Sequence, residues 1–198
     1  MNPNINEILV LQGWSLERES DTAFFFNQAP WVAPLAYLHT VFKPASRAAL
    51  LENAQHLSLP EYWRTQLSAA NGAILYSGAV SIYGVVDTHA LHNRRDLFNR
   101  QPFRIVDENH SWPPPDSRNE VVIGSYYCDG TRAILNIPSG QVSAVPRKST
   151  QVLTQWASTD EWITSELARL QVLHDDSGKL LVGLEETIPG RNSERSIH

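Results

Sequence analysis

The amino-acid sequence predicts an α+β fold, a mostly antiparallel sheet of about five or six strands with helices packed largely on one side. Three observations predict it. Residues 58–72 combine helical apolar spacing with an Asn-Gly end, β-branched and aromatic residues follow at once, and a later stretch alternates short apolar runs with Gly-containing turns. The chain has 198 residues, 42% of them hydrophobic, which is enough for one well-filled core.

The N-terminal part is expected to be an addition, residues 1–43, packed on the core. Residues 4–14 carry apolar side chains at helical spacing and favour a helix, although residues 9–11 are equally compatible with a strand. Residues 24–26 are three consecutive phenylalanines and predict a buried strand. Residues 36–42 are compatible with either an extended segment or a short helix.

Two helices are predicted next. Ser46 precedes the first, whose short apolar stripe comprises Leu50, Ala54 and Leu57. Ser58, with Glu61 three residues later, forms a capping-box pattern that predicts the start of the second. The residues of this second helix that recur at helical spacing, and are expected to be buried, are Leu59, Trp63, Leu67 and Ala70.

Strands should follow these helices. Gly72 is expected to end the second helix, because glycine reaches the left-handed conformation without a clash. Residues 73–76 and 80–86 predict strands separated by a turn. Residues 103–106 predict a brief strand, and residues 108–119 a loop, because three successive prolines remove backbone donors.

The second half of the chain predicts a three-stranded meander and a closing helix. The strands are residues 120–127, 131–137 and 141–145, joined by Gly-containing turns. Ser158 and Glu161 form a capping pair for the helix. Beyond it, the chain could continue as helix to His174 or form a hairpin around Asp176-Ser177-Gly178 with Val172 and Val182 facing inward, and the hairpin is favoured.

The order of these elements resembles the SUKH superfamily, which includes fungal cell-wall-assembly regulators and many bacterial toxin-immunity proteins. In that family's signature a helix containing Glu leads to Leu-Pro, an aromatic residue, an Asn-Gly helix end and a first strand. The matching positions, expected to be architectural, are Glu52, Leu59, Pro60, Tyr62, Asn71 and Gly72. Ala73 departs from the pattern, since the family often has a second Gly there. A strand ending in Ile-Gly and followed by Asp-Gly, at residues 120–130, is similar to a second family block.

The resemblance spans residues 46–170 and implies a SUKH-like α+β domain over residues 44–184, followed by a tail, residues 185–198, whose polar composition predicts disorder. It implies a non-catalytic protein-binding module and, in a bacterium, an immunity protein that neutralises a cognate toxin by occlusion. The first alternative is an intracellular scaffold or regulatory protein, and the second is an enzyme with a site grafted onto the fold. The side chains expected to contact a protein partner are Asp87, Trp112, Tyr126 and Asp129.

Charge and composition exclude several classes of function. The formal net charge of -5 argues against a nucleic-acid binder, which needs a basic footprint. The short apolar run near the N-terminus lacks a preceding basic region, and no segment approaches membrane-spanning length, so a cytoplasmic protein without membrane contact is expected. Nothing in the sequence indicates an oligomeric state.

We expect neither a cofactor nor a metal ion, and we assign no catalytic residues. Asp87, His89 and His92 are the nearest approach to a metal-ligand set, but no fourth ligand is evident. Cys128 is the single cysteine, which excludes an internal disulfide, and no histidine lies close to it in sequence to activate a thiolate. Neither a Gly-rich phosphate loop nor a Gly-x-Ser-x-Gly elbow occurs.

Overall fold

The computed structural model describes residues 4–86 and 97–191. Within these residues the chain forms nine β-strands and five α-helices. In chain order the strands are β1 (Leu16–Glu19), β2 (Ala23–Gln28), β3 (Tyr37–Phe42), β4 (Ala73–Leu75), β5 (Val80–Ile82), β6 (Glu120–Tyr126), β7 (Arg132–Asn136), β8 (Val142–Val145) and β9 (Thr154–Trp156). The helices are α1 (Ile5–Leu11), α2 (Arg47–Ala54), α3 (Glu61–Ala69), α4 (Ile105–Ser111) and α5 (Thr159–Leu173).

The nine strands form one sheet in which spatial order equals chain order, and each neighbouring pair is antiparallel. The predicted α+β class is confirmed. The predicted strand number, about five or six, was too small, because residues 16–42 contribute three strands and β9 adds another.

The N-terminal strands continue the sheet directly. The phenylalanines at residues 24–26 lie in β2, where Phe25 and Phe26 are buried. Residues 37–42, which the sequence left open between strand and helix, form β3. β3 pairs with β4 through Thr40 opposite Ile74. The segment that precedes α2 is therefore bonded strand by strand to the rest of the sheet.

Helix α3 buries the predicted stripe but begins later than predicted. Leu59, Trp63, Leu67 and Ala70 are all buried. The Ser58–Glu61 capping box was wrong, since Pro60 occupies the N-cap position and makes no side-chain capping bond. Helical backbone angles are disfavoured for a residue that precedes proline, so Leu59 stays outside the helix. Ser58 is then too far from the first turn of α3 to cap it.

The end of α3 is fixed by contacts with the chain beyond β5. The Asn71 side chain accepts a hydrogen bond from the Val85 N–H and donates one to the Val85 carbonyl, both at 2.8 Å. Gly72 has the predicted left-handed conformation, with φ of 84°, but the prediction that it ends the helix was wrong, because α3 stops at Ala69 and Ala70 is already extended. A Cβ at this position would lie 2.5 Å from the Ile82 carbonyl oxygen. Glycine is therefore required here by close packing as well as by its backbone angles.

The strand predicted at residues 103–106 was wrong, because Ile105 begins helix α4. Ile105 and Asn109 lie one helical turn apart and are both buried. The Asn109 side chain accepts a hydrogen bond from the Val122 N–H and donates to the Val122 carbonyl, both at 2.8 Å. This link fastens α4 to β6, a tertiary contact that a four-residue apolar pattern does not reveal.

Helix α5 starts as predicted and ends later. The Ser158 side chain accepts a hydrogen bond from the Glu161 N–H at 3.1 Å. The favoured hairpin was wrong, since α5 runs on to Leu173 and the turn that follows leaves only an isolated bridge between His174 and Leu180. Val172, predicted to face inward, is 78% exposed.

The predicted tail is ordered as far as the structure describes it. Leu184–Thr187 form a short 3₁₀ helix, and Ile188 is buried. Arg169 on α5 donates hydrogen bonds to the carbonyls of Glu186 and Thr187 at 3.1 and 2.6 Å. The polar composition of residues 185–191 was misleading because the backbone, rather than the side chains, makes these contacts.

Helices cover both faces of the sheet unequally. α1, α3 and α5 gather on the face to which Ile82 points. The next residue, Tyr83, points the other way and donates a hydrogen bond to Glu108 of α4, because side chains alternate along an extended chain. In the described part of the chain, the helices are all too short or too polar to cross a lipid bilayer.

Candidate functional site

A groove of about 1150 Å³ lies between three helices. Its walls come from the first turn of α1, most of α3, the β7–β8 turn and the first turns of α5. Gln66 on α3 donates a hydrogen bond to the Asp160 carboxylate on α5, joining two of the walls. A cleft of this size, formed where separate elements converge, is the usual setting of a binding site.

The floor of the groove is apolar. Its buried residues include Ile5, Trp63, Leu67, Ile82 and Ile163, which come from four different elements. Two of them, Trp63 and Leu67, belong to the stripe that the sequence predicted on α3. The apolar stripe of α3 therefore contributes both to the core and, through Trp63 and Leu67, to the floor of the groove.

Tyr62 and the exposed side of α3 form the upper wall. Thr65, Ser68 and Ala69 line the groove and are exposed. Because their side chains are short, they leave the mouth of the groove open. Trp63 lines the groove, but its indole Nε1 is itself buried and has no acceptor in the part of the chain that the structure describes. An unpaired buried donor costs about 1–3 kcal/mol. Two other α3 atoms, Arg64 Nε and Gln66 Oε1, are also buried without a partner among the described residues.

The charged side chains on the groove walls are carboxylates. Glu7 accepts a hydrogen bond from the Asn4 N–H at 3.0 Å, in a capping box at the start of α1. Glu161 accepts one from the Ala157 N–H at 2.6 Å at the start of α5. Asp160 is the acceptor for Gln66. Each carboxylate is thus held in place by its own helix or by the opposite wall.

The predicted partner contacts do not form one surface. Tyr126 is fully buried, with its hydroxyl accepting a hydrogen bond from the Trp162 Nε1–H at 2.9 Å, so its assignment as a surface contact was wrong. The period-two alternation of β6 places it on the face that α5 covers. Asp87 lies outside the described residues.

Trp112 and Asp129 are engaged with their own domain. Trp112 is 41% exposed, and the Arg147 guanidinium stacks on its ring at 3.4 Å from the centroid. Arg132 donates hydrogen bonds to the Trp112 and Pro113 carbonyls at 3.2 and 3.1 Å. Asp129 is half-buried and forms an ion pair with Arg191 at 2.7 Å. Neither residue lines the groove.

The family-motif positions contribute unequally to the groove. Leu59 is buried, Pro60 precedes the first residue of α3, and Asn71 and Gly72 follow α3 and contact residues 82–85. Tyr62 alone lines the groove, where it is 39% exposed. Glu52, on α2, is half-buried and lies elsewhere.

No metal site is apparent where the structure is described. His89 and His92, like Asp87, fall outside those residues, so the weak ligand set is not placed. Within residues 4–86 and 97–191, no three His, Cys, Asp or Glu side chains lie together in a way that could hold an ion.

A cluster of buried aromatic and imidazole rings lies at the other end of the same sheet face. His39 is fully buried, with ring centroids 5.2 Å from Trp14 and 4.5 Å from Tyr76. Its Nδ1 accepts a hydrogen bond from the Tyr76 N–H at 3.3 Å, and its Nε2 has no partner among the described residues. Burial, with the nearby His174, lowers the pKa of His39 to about 3. The ring is therefore neutral near pH 7.

Among the described residues, the most deeply buried carboxylate is that of Glu166 on α5, which interacts with other polar groups of α5 and β6. Arg169 binds Glu166 through two hydrogen bonds, at 3.0 and 2.6 Å. Burial and the Glu166 carboxylate raise the pKa of Tyr126 well above its usual value. These groups are paired with one another and with backbone, and they do not open onto the groove.

Sequence reasoning missed the groove because it depends on tertiary packing. Its walls come from segments far apart in the chain, residues 4–8, 62–70, 137–140 and 157–164. The local signal was the row of small side chains, Thr65, Ser68 and Ala69, beside a stripe of large ones.

Comparison of the chain with protein-family models, curated proteins and solved structures finds no match.

Proposed function

We propose that this chain is a non-catalytic protein-binding module that holds its partner in the groove between α1, α3 and α5. The observation that carries the proposal is the groove itself, about 1150 Å³ with an apolar floor and polar walls. An apolar centre surrounded by polar groups is the usual anatomy of a protein interface. The floor belongs to helices packed on a sheet, so the binding surface is preformed, which lowers the cost of association.

The resemblance to the SUKH superfamily supports a more specific version. In that version the chain is a cytoplasmic immunity protein, and its partner is a cognate toxin that it neutralises by occlusion. Of the matching motif residues, Tyr62 lies on α3 and lines the groove, while Leu59, Pro60, Asn71 and Gly72 flank the two ends of that helix. A partner seated there would have its own active site or docking surface masked by the bulk of this domain.

Filling the groove tests the proposal. Thr65 and Ala69 lie one turn apart on the exposed side of α3, so T65Y/A69Y would place two large neutral side chains at the groove mouth. A matched control is A168Y/V172Y, at exposed positions with the same spacing on α5 that do not line the groove. Each tagged protein would be used for affinity capture from the native host, followed by mass spectrometry.

The expected result is one protein retained by the wild type and by the control but lost with T65Y/A69Y. For the immunity version, expressing that protein alone should arrest growth of a bacterial host, and co-expression of this chain should restore it. Capture that is equal for all three proteins would refute the groove as the binding site. If expression of the captured protein does not affect growth, the partner is not a toxin and the immunity version is refuted.

A further inference from the structure

The charged residues that line the groove indicate what kind of segment it binds. Among the described residues that line the groove, the charged side chains are Glu7, Asp160 and Glu161, and none is Lys, Arg or His. Glu7 stands on the α1 wall, and the other two stand on the α5 wall. The acidic charge therefore comes from two elements.

Helix dipoles reduce this charge without cancelling it. Each of the three carboxylates lies in the first turn of α1 or α5. A helix N-terminus carries roughly half a positive elementary charge, so two of them offset about one of the three negative charges. About two negative charges remain, next to an apolar floor that excludes water and strengthens the field.

We infer that the occupant is a basic, amphipathic segment of a protein partner, with Arg or Lys side chains beside large apolar ones. This inference rests on the proposed function, because it concerns the same groove. The apolar residues cover the floor formed by Trp63, Leu67 and Ile163, and the cations reach the carboxylates on the walls. Arginine fits best, since its planar guanidinium binds a carboxylate through two hydrogen bonds.

The opposite chemistries fit poorly. An acidic segment would be repelled by the walls, and a nucleic acid would bring phosphates to a site without cations. A purely apolar segment would partly desolvate the three carboxylates and add no new polar contact to those they already make, which is a net cost.

A peptide display library tests this inference directly. Random peptides of about sixteen residues, long enough for four helical turns, would be selected on the wild type after depletion on T65Y/A69Y. The dissociation constants of fluorescently labelled selected peptides would be measured by anisotropy. The charge variant is E7Q/D160N/E161Q, in which each amide keeps the oxygen that accepts the hydrogen bond described above. The matched control is E17Q/D176N/E185Q, which changes the net charge equally at exposed positions away from the groove.

We expect the selected peptides to be basic and amphipathic. Their binding should weaken about tenfold in the charge variant at low salt, with a smaller difference at high salt, and stay within about twofold of the wild type in the control. Neutral or acidic peptides, or equal binding by the charge variant, would overturn the inference while leaving a groove that binds proteins. Recovery of no peptide that discriminates the wild type from T65Y/A69Y would overturn both.

Discussion

The buried histidine of the ring cluster should make stability fall in mild acid. His39 is fully buried and its pKa is lowered to about 3, mainly by burial and also by His174. Its reference pKa in the unfolded chain is about 6.5. Between these values the unfolded chain binds a proton that the native protein does not, so the free energy of unfolding falls as the pH falls from 6.5 to 3.

The expected size follows from the shift. Each pH unit in this window costs about 1.4 kcal/mol, so His39 should remove about 2.7 kcal/mol of stability between neutral pH and pH 4.5. Burial also lowers the pKa of His174, which adds a loss of the same sign. Hydrogen bonding lowers the pKa of Asp116 and of Asp175, and their stabilising contribution is lost only at still lower pH. The window above pH 4.5 therefore reports mainly on histidines.

The assay is urea unfolding followed by tryptophan fluorescence at several pH values between 4.5 and 7.5. H39N keeps an oxygen near the position of Nδ1 to accept the Tyr76 N–H but has no group that titrates. It should be less stable than the wild type at pH 7.5, because it leaves a cavity, yet lose about 2.7 kcal/mol less on acidification. H56N, at an exposed position, should keep the wild-type slope. Equal slopes for H39N and wild type would refute the reasoning.

Three further predictions concern stability and can be measured by the same urea unfolding at pH 7.5. R169M should cost about 3–5 kcal/mol, because it leaves the buried Glu166 carboxylate without its cationic partner. R169M/E166L should recover much of that loss, and an equal loss in the double variant would contradict this reasoning. G72A should cost about 2 kcal/mol or more, because it combines a left-handed backbone with a clash against Ile82, while G13A, also left-handed but with open space around it, should cost less. S158A should cost about 1 kcal/mol through loss of the α5 cap, and no change would mean that Glu161 alone caps the helix.

What the sequence predicted correctly was mostly local. The stripe on α3 and the Ser158 cap depend on residues within a few positions of one another, so periodicity and capping patterns sufficed. The meander of β6, β7 and β8 was also predicted, because its turns carry glycines in left-handed conformations at Gly130 and Gly140.

The errors trace to a local rule applied in the wrong place or to distant contacts. Ser58 looked like a cap, but the restriction that Pro60 imposes on the preceding residue was stronger. Gly178 suggested a hairpin over the last part of α5. The helix continues there instead, because Leu170 extends its apolar face and is fully buried. The groove, the ordered residues 184–191 and the burial of Tyr126 depend on which segments meet in space, and the spacing of residues within one segment does not contain that information.

The sequential order of the strands also bears on how the polypeptide folds. The hairpins β6–β7 and β7–β8 close over residues 127–131 and 137–141, whereas joining β5 to β6 requires closure over residues 83–119. Loop-closure entropy rises with loop length, so the short hairpins are the cheaper nuclei. Growth can then proceed by docking one strand at a time at an outer edge. No strand has to insert between two strands that are already hydrogen-bonded to each other, so one source of kinetic traps is absent.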